Sequence, residues 1–516
     1  MRAEAARGGA ARSILPVAGR LGVGVRSVPA GALLGAVLAL GATLRLYDLG
    51  SESYWLDEVI MLRAAEGDVG SILGGTRPPV YVLLTHFWIQ FFGTSEASTR
   101  LLPALFGTLS VLLTYVVGRE LFGKRVGLVA ALLMSLSAFQ VYYSQEIRYY
   151  SLFVMCALLS YLLMLRAHKT GKPIYFALYA LAGIVMFYSH SYAVFVFAAQ
   201  NLYFALGWKR LRLLLGYWLI SQAVIAMAIL PALMLPADRV ITGSAAVMKW
   251  IPDPPLWQPF FDVMGYVVPI YSSSKVALAI VPLLALIALA VVAYAKGREK
   301  WWAAARHTAA GIKHGVAGER DKLLLLGCWL LCPIFIPYLM SKVFGPMYLS
   351  RYTISATPAF YILAALVILA GRKLMPAYIS LALVVVLVAP GMIEYYARPV
   401  KDEWREAAAF VRERSRPGDV LMAEYSDNFV LSWYDKDDLT RCVTDPSLAA
   451  GITRDERMRR EVIAWATGSP RFWLATSAAE KDPYLQFFSS EVPGLGLVEH
   501  RDFAGLSTYL FSRSGP

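Results

Sequence analysis

The sequence predicts a polytopic α-helical membrane protein with a small α/β domain at its C-terminal end. Three observations carry that prediction. Hydrophobic residues fill 58% of the 516 positions and charged residues only 16%, at a mean hydropathy of +0.53. A soluble domain is nearer about 45–50% apolar and roughly 25% charged. Apolar runs of spanning length recur along the chain, and Lys and Arg concentrate in every second loop between them, as the positive-inside rule requires.

Residues 1–27 carry Arg2, Arg7, Arg12, Arg20 and Arg26 against one acid and read as a basic cytoplasmic N-terminus. The Ala/Leu/Val segment at 28–46 approaches spanning length with no small-residue cleavage site after it. An uncleaved anchor is therefore expected rather than a signal peptide. Further spans follow at 98–118, 126–143, 149–166, 174–189, 192–208, 213–235, 276–295, 323–341, 353–371 and 376–394, about eleven in all. The run Pro78–Phe92 is apolar and aromatic but too short to cross comfortably, so it is expected to lie in the interface. With the N-terminus inside, about 23 of the 49 Lys and Arg fall on the cytoplasmic side of the membrane region and roughly 10 outside it. The net charge of +13 is then mostly a topology signal, and nucleic acid is not implied.

An odd number of spans puts residues 395–516 outside. There, Lys401–Arg414 has helical spacing with Trp404, Ala408 and Val411 on one face. A second amphipathic helix is expected over 455–467. Short apolar runs at 420–423, 472–475, 497–498 and 509–511 read as strands, which together give an extracytoplasmic α/β domain. No phosphate loop or nucleophile motif marks it, so an accessory or acceptor-facing role is expected. Cys156, Cys328 and Cys332 lie in apolar runs and Cys442 stands alone, a pattern of core thiols rather than zinc ligands.

The expected outer loops hold the chemistry-bearing residues. The first, 47–97, contains Asp57-Glu58 after Tyr54-Trp55-Leu56, with Arg63 and Arg77. The next is the turn Tyr142–Tyr150, carrying Glu146 and Arg148. His190 stands at a tight turn, and Lys342 and Arg351 bracket a late one. Each has a plainer reading. Tyrosines at helix ends form interfacial belts, and arginines snorkel to headgroups. A histidine can be satisfied in place, and acids suit a helix N-terminus. Taken together, they combine a carboxylate able to accept a proton with arginines able to hold a phosphate leaving group. That set fits transfer of a sugar from a lipid-phosphate donor to an outer-face hydroxyl, since nucleotide sugars are confined to the cytoplasm. The rival reading, a lipid-linked sugar flippase or transporter, predicts charges at the bilayer midplane, and the spans here are nearly charge-free.

These residues resemble the bacterial polyprenyl-phosphate-dependent glycosyltransferases of the GT-C fold, related to protein O-mannosyltransferases and the lipid A aminoarabinose transferase. The resemblance runs through Trp55-Leu56-Asp57-Glu58, Arg77-Pro78-Pro79-Val80-Tyr81, Phe92-Gly93, Arg100-Leu101-Leu102-Pro103-Ala104, Ser144–Tyr150, Ser350-Arg351-Tyr352 and Asp402-Glu403-Trp404-Arg405. It covers about residues 28–405. It implies a GT-C catalytic domain over 28–394 in the inner (plasma) membrane, transfer with inversion, and Asp57 as the catalytic carboxylate acting on the acceptor hydroxyl. Asp57 is then the expected base, with Glu58 positioning or assisting. The resemblance also implies Glu146 at the second acidic position, which in some members shares a divalent cation (Mg or Mn) with the first and in many needs none. Arg77, Glu146, Arg148, His190 and Arg351 are the expected donor and phosphate contacts. The expected partners are a polyprenyl-phosphate sugar donor, a hydroxyl-bearing protein, lipid or envelope glycan, and membrane lipids. Arg77 stands where relatives have His or Lys, and a planar guanidinium is not equivalent to either.

Overall fold

The computed structural model describes residues 29–75, 77–234, 251–266, 318–369, 374–423, 425–435, 440–442, 460, 463–464, 466–477, 487–488, 490–492 and 494–513. The basic N-terminus, the span expected at 276–295 and most of the helix expected at 455–467 lie outside them.

Helices dominate. In chain order they are α1 Ala30–Leu46, α2 Leu56–Glu66, α3 Val69–Gly74, α4 Pro79–Phe92, α5 Glu96–Phe122, α6 Lys124–Leu136, α7 Ala138–Tyr142, α8 Tyr150–Thr170, α9 Pro173–Ser189 and α10 Ala193–Leu206. They continue as α11 Trp208–Leu211, α12 Leu215–Met234, α13 Gln258–Gly265, α14 Glu319–Phe344, α15 Thr357–Ile368, α16 Leu374–Ala397, α17 Trp404–Arg414 and α18 Tyr425–Tyr434. Among the described residues, five helical stretches are long and apolar enough to cross a membrane: 96–122, 150–170, 208–232, 319–344 and 350–368. Four shorter apolar helices accompany them, among them α1 and α4.

The span expected at 126–143 is interrupted. Ser137 adopts an extended ψ of 114°, and its hydroxyl accepts the Gln140 amide and donates to the Tyr266 carbonyl. Breaking the ladder strands carbonyls in an apolar setting, where unmet backbone groups are costly. The buried Arg45 of α1 meets that need: it donates to the Met134 and Ser135 carbonyls and to Ser144 Oγ. Where α5 crosses this turn, Gly107 leaves the space that Ser144 and Arg45 occupy. Farther down, Gly118 and Gly127 let α5 and α6 approach until their backbones touch, small-residue packing that suits helices in lipid.

α4 runs as expected from Pro78, with Pro79 in its first turn, where a missing N–H costs nothing. It buries Tyr81, Val82 and Thr85 and exposes Leu84, Phe87, Phe91 and Phe92. After α16, the chain forms a five-stranded mixed sheet: β1 Leu421–Ala423, β2 Thr440–Cys442, β3 Arg471–Ser477, β4 Leu495–Phe503 and β5 Leu506–Arg513, in the order β2-β1-β3-β5-β4. β1 is parallel to β2 and β3, and β5 is antiparallel to β3 and β4. α17 covers the sheet with Trp404, Ala407, Phe410 and Val411 buried. α18, which no apolar run in the sequence announced, packs against α2: Tyr434 Oη accepts the Tyr54 amide, and Arg63 lies over Phe429 and Trp433. Cys156, Cys328 and Cys332 are buried and not disulfide-bonded.

Candidate active site

The loops at one end of the helix bundle converge on the first turn of α2. Asp57 and Glu58 both sit there, where the helix dipole favours negative charge, yet their surroundings differ completely.

Glu58 is fully buried. Arg100 of α5 grips it with two bonds, Nε to Oε1 at 3.0 Å and Nη2 to Oε2 at 2.8 Å. Lys401 Nζ lies 3.1 Å from Oε2, and the Ile147 amide donates to Oε1 at 3.1 Å. Arg100 spends its remaining donors on the Leu49, Glu52 and Ser53 carbonyls. Burial alone would raise the Glu58 pKa, but Arg100 and then Lys401 overcome it and hold the carboxyl down at about 2.

Asp57 remains partly accessible. Its Oδ2 lies 3.5 Å from Arg148 Nη2 and 3.8 Å from Arg351 Nη2. Arg148 also donates to Tyr149 Oη and lies over the Tyr149 and Tyr150 rings. Arg351 comes from the short 3₁₀ turn Ser350–Ala356 before α15, beneath which α13 donates from Gln258 to Ser350 Oγ. His190 ends α9, stacked on Phe153 and edge-on to Tyr149 and Tyr352. Its Nδ1 accepts the Tyr192 amide, which assigns the ring proton to Nε2. Burial, and then Arg148 and Arg351, lower its pKa to about 3, so the ring is neutral. Arg77 is exposed at the start of α4, and its pKa is lowered by desolvation and by Arg148. It is the least enclosed of the expected contacts.

Glu146 is buried beside this group. Burial pushes its pKa up to about 7, with Lys401 opposing and Glu58 reinforcing the shift. Its Oε2 has no hydrogen-bond partner among the described residues, nor do Tyr81 Oη, Tyr150 Oη, Arg148 Nε and His190 Nε2. Buried polar atoms are rarely left so, and several together mark where a polar ligand belongs.

Glu58, depressed from 4.5, contributes stability that is present above 4.5 and lost as pH falls toward 2. Glu146, raised from 4.5, binds its proton more tightly when folded, so stability declines as pH rises from 4.5 to 7. Thermal melts of the detergent-solubilised protein should therefore show wild type losing stability from pH 5 to pH 8 relative to Glu146→Gln. Parallel curves for the two would contradict the Glu146 environment.

All seven expected residues thus lie at one end of the bundle, and Asp57, Arg148 and Arg351 meet directly. Arg100 and Lys401 were not anticipated as site residues. Each stood inside or beside a motif of the resemblance, but which carboxylate they meet is a long-range fact. Glu58 has its oxygens occupied, Asp57 faces two guanidiniums, and among the described residues no three His, Cys, Asp or Glu side chains stand close enough to hold a metal.

Comparison with known proteins agrees with this architecture. Residues 76–235 match the family model described as dolichyl-phosphate-mannose-protein mannosyltransferase. No curated protein sequence matches the chain. Among solved structures, ArnT from Cupriavidus metallidurans in the apo state aligns over 94% of this chain and 98% of that one, at 13% identity and a TM-score of 0.57. The same protein bound to undecaprenyl phosphate aligns with a TM-score of 0.54, also at 13% identity and over 94% of this chain and 98% of that one. The Archaeoglobus fulgidus oligosaccharyltransferase, in complex with zinc and sulfate, aligns over 90% of this chain and 70% of its own, at 14% identity and a TM-score of 0.55. The chain has the GT-C fold.

Proposed function

We propose that this chain is an inverting membrane glycosyltransferase that moves a sugar from a polyprenyl-phosphate donor to a hydroxyl on the outer face of the plasma membrane. One observation carries the reading: a single carboxylate oxygen of Asp57 stands within 4 Å of two guanidiniums, Arg148 and Arg351. A base for the acceptor and anchors for the phosphate are thereby gathered in one site, within the span of a single sugar ring held between them.

The acceptor oxygen attacks the anomeric carbon while Asp57 takes its proton. The bond from that carbon to the phosphate oxygen breaks on the opposite side. Polyprenyl phosphate leaves with the added negative charge, which Arg148 and Arg351 offset and Arg77 meets at the rim. His190, neutral with its proton on Nε2, donates a hydrogen bond without adding charge. Glu58 is a positioning residue, its oxygens already committed. The apolar face of α4 lies toward the lipid, and the alternation of basic loops supports a cytoplasmic N-terminus with the sheet outside.

The reaction runs without a metal, because the cations it needs are the chain's own. Purified protein in proteoliposomes, given a panel of polyprenyl-phosphate sugars and envelope acceptors, should release polyprenyl phosphate and glycosylate one acceptor at the same rate with and without EDTA. Failure to consume any of the donors would overturn the reading. Loss of activity in EDTA, restored by Mg²⁺ or Mn²⁺, would overturn its metal independence.

A further inference from the structure

We infer that Lys401 is a positioning residue for the transfer step, through which the C-terminal sheet sets the geometry of the site. This rests on the glycosyl-transfer reading above and goes beyond it, because it gives the region after the last membrane helix a part in the chemistry.

Lys401 is buried, and its ammonium touches two elements at once: Glu58 Oε2 at 3.1 Å and the Gln145 carbonyl at 3.4 Å. The first contact is one residue from Asp57 and the second is one residue from Glu146, at the start of the turn that presents Arg148. The Ile147 amide donates to the other oxygen of Glu58, so the same carboxylate is tied to that turn twice. Asp57 belongs to α2 and Arg148 to a turn 91 residues later. Their spacing is therefore the spacing that Glu58, Lys401 and Gln145 impose.

The sheet in turn holds Lys401. The hairpin between β4 and β5 turns at Ala504-Gly505, where Gly505 has φ +79° and leaves room that the Asp402 side chain fills. The Glu403 amide donates to the Ala504 carbonyl, and the Ala504 amide donates back to Glu403 Oε2. Arg405 then reaches the Gly50 and Ser51 carbonyls, and Glu406 accepts from Ser53 Oγ, which clamps the loop leading into α2. The hairpin thus fixes Glu403 by hydrogen bonds, two residues along the backbone from Lys401, whose ammonium fixes Glu58.

A point charge is suited to this place. Lysine directs one compact ammonium at two acceptors, whereas a guanidinium spreads its donors in a plane. Loss of the contact frees α2 and the turn to drift, and a misplacement of about 1 Å between reacting groups costs roughly 10²-fold in rate.

The test uses the full chain in proteoliposomes, with Lys401→Gln and Lys401→Arg. For each, kcat, the KM and binding of the polyprenyl-phosphate donor, and the melting temperature are measured on one preparation. Lys401→Gln is expected to fold, to bind donor within 3-fold of wild type, and to lose kcat by at least 30-fold. Lys401→Arg is expected to keep the wild-type melting temperature and to lose kcat by 3- to 10-fold. A folded Lys401→Gln with kcat within 3-fold of wild type overturns the proposal, as does a loss confined to donor binding. If Lys401→Gln does not accumulate as folded protein, Lys401→Arg decides, and wild-type kcat in it overturns the proposal. Wild type that consumes no lipid-linked donor fails the glycosyl-transfer reading instead, so the two failures are distinct.

Discussion

Asp57→Asn is expected to lower kcat by about 10²–10⁴-fold, the range a general base contributes, while donor binding survives. Asparagine preserves the shape of the side chain and its place in the first turn of α2, but it accepts no proton from the acceptor hydroxyl. Arg148 and Arg351 lose a negative neighbour in this variant, so donor phosphate should bind as tightly as in wild type or more tightly. The measurement is single-turnover transfer in proteoliposomes beside equilibrium donor binding. Full activity in Asp57→Asn removes Asp57 as the base. Lost binding with unchanged single-turnover rate assigns it to donor recognition instead.

Arg100→Met is expected to destabilise the protein by about 3–5 kcal/mol, the cost of breaking a buried ion pair from one side. The side chain is 2% exposed and meets Glu58 with two bonds and three carbonyls with the rest. Methionine fills a similar volume but leaves those carbonyls unmet and Glu58 with Lys401 as its remaining cation. The melting temperature in detergent should fall steeply, and the companion Glu58→Gln should fall as well. If Arg100→Met melts within a degree or two of wild type, the buried network is not what holds the loop before α2.

The dominance of apolar helices, the short helix behind Pro78 and the cluster of charged loops were legible in the sequence because each is local. Hydropathy, a Pro-Pro start and adjacent charges need no knowledge of distant partners. Asp57, Arg148 and Arg351 could be nominated for the same reason. The division of labour between Asp57 and Glu58 could not, since it depends on Arg100, 42 positions on, and Lys401, 343 positions on. The interruption at Ser137 was hidden by a run that stays apolar across it. The residue that compensates it, Arg45, lies almost a hundred positions earlier. α18 is not announced by the sequence because it is short and its partners, α2, α17 and the sheet, lie elsewhere in the chain.

Successive residues on an α-helix differ in azimuth by about 100°, so α2 separates two neighbouring carboxylates into a dry side and a reactive side by angle alone. The rotational phase of α2 is thus a functional parameter of the chain, set by the loop at 47–55 that feeds the helix. An insertion or deletion of one residue that carried through to the start of α2 would turn Glu58 away from Arg100 and Asp57 away from Arg148 together. Substitutions at the exposed positions of that loop are tolerable where they leave its length intact, whereas changes of length, or of the buried Ser53 and Tyr54, are not.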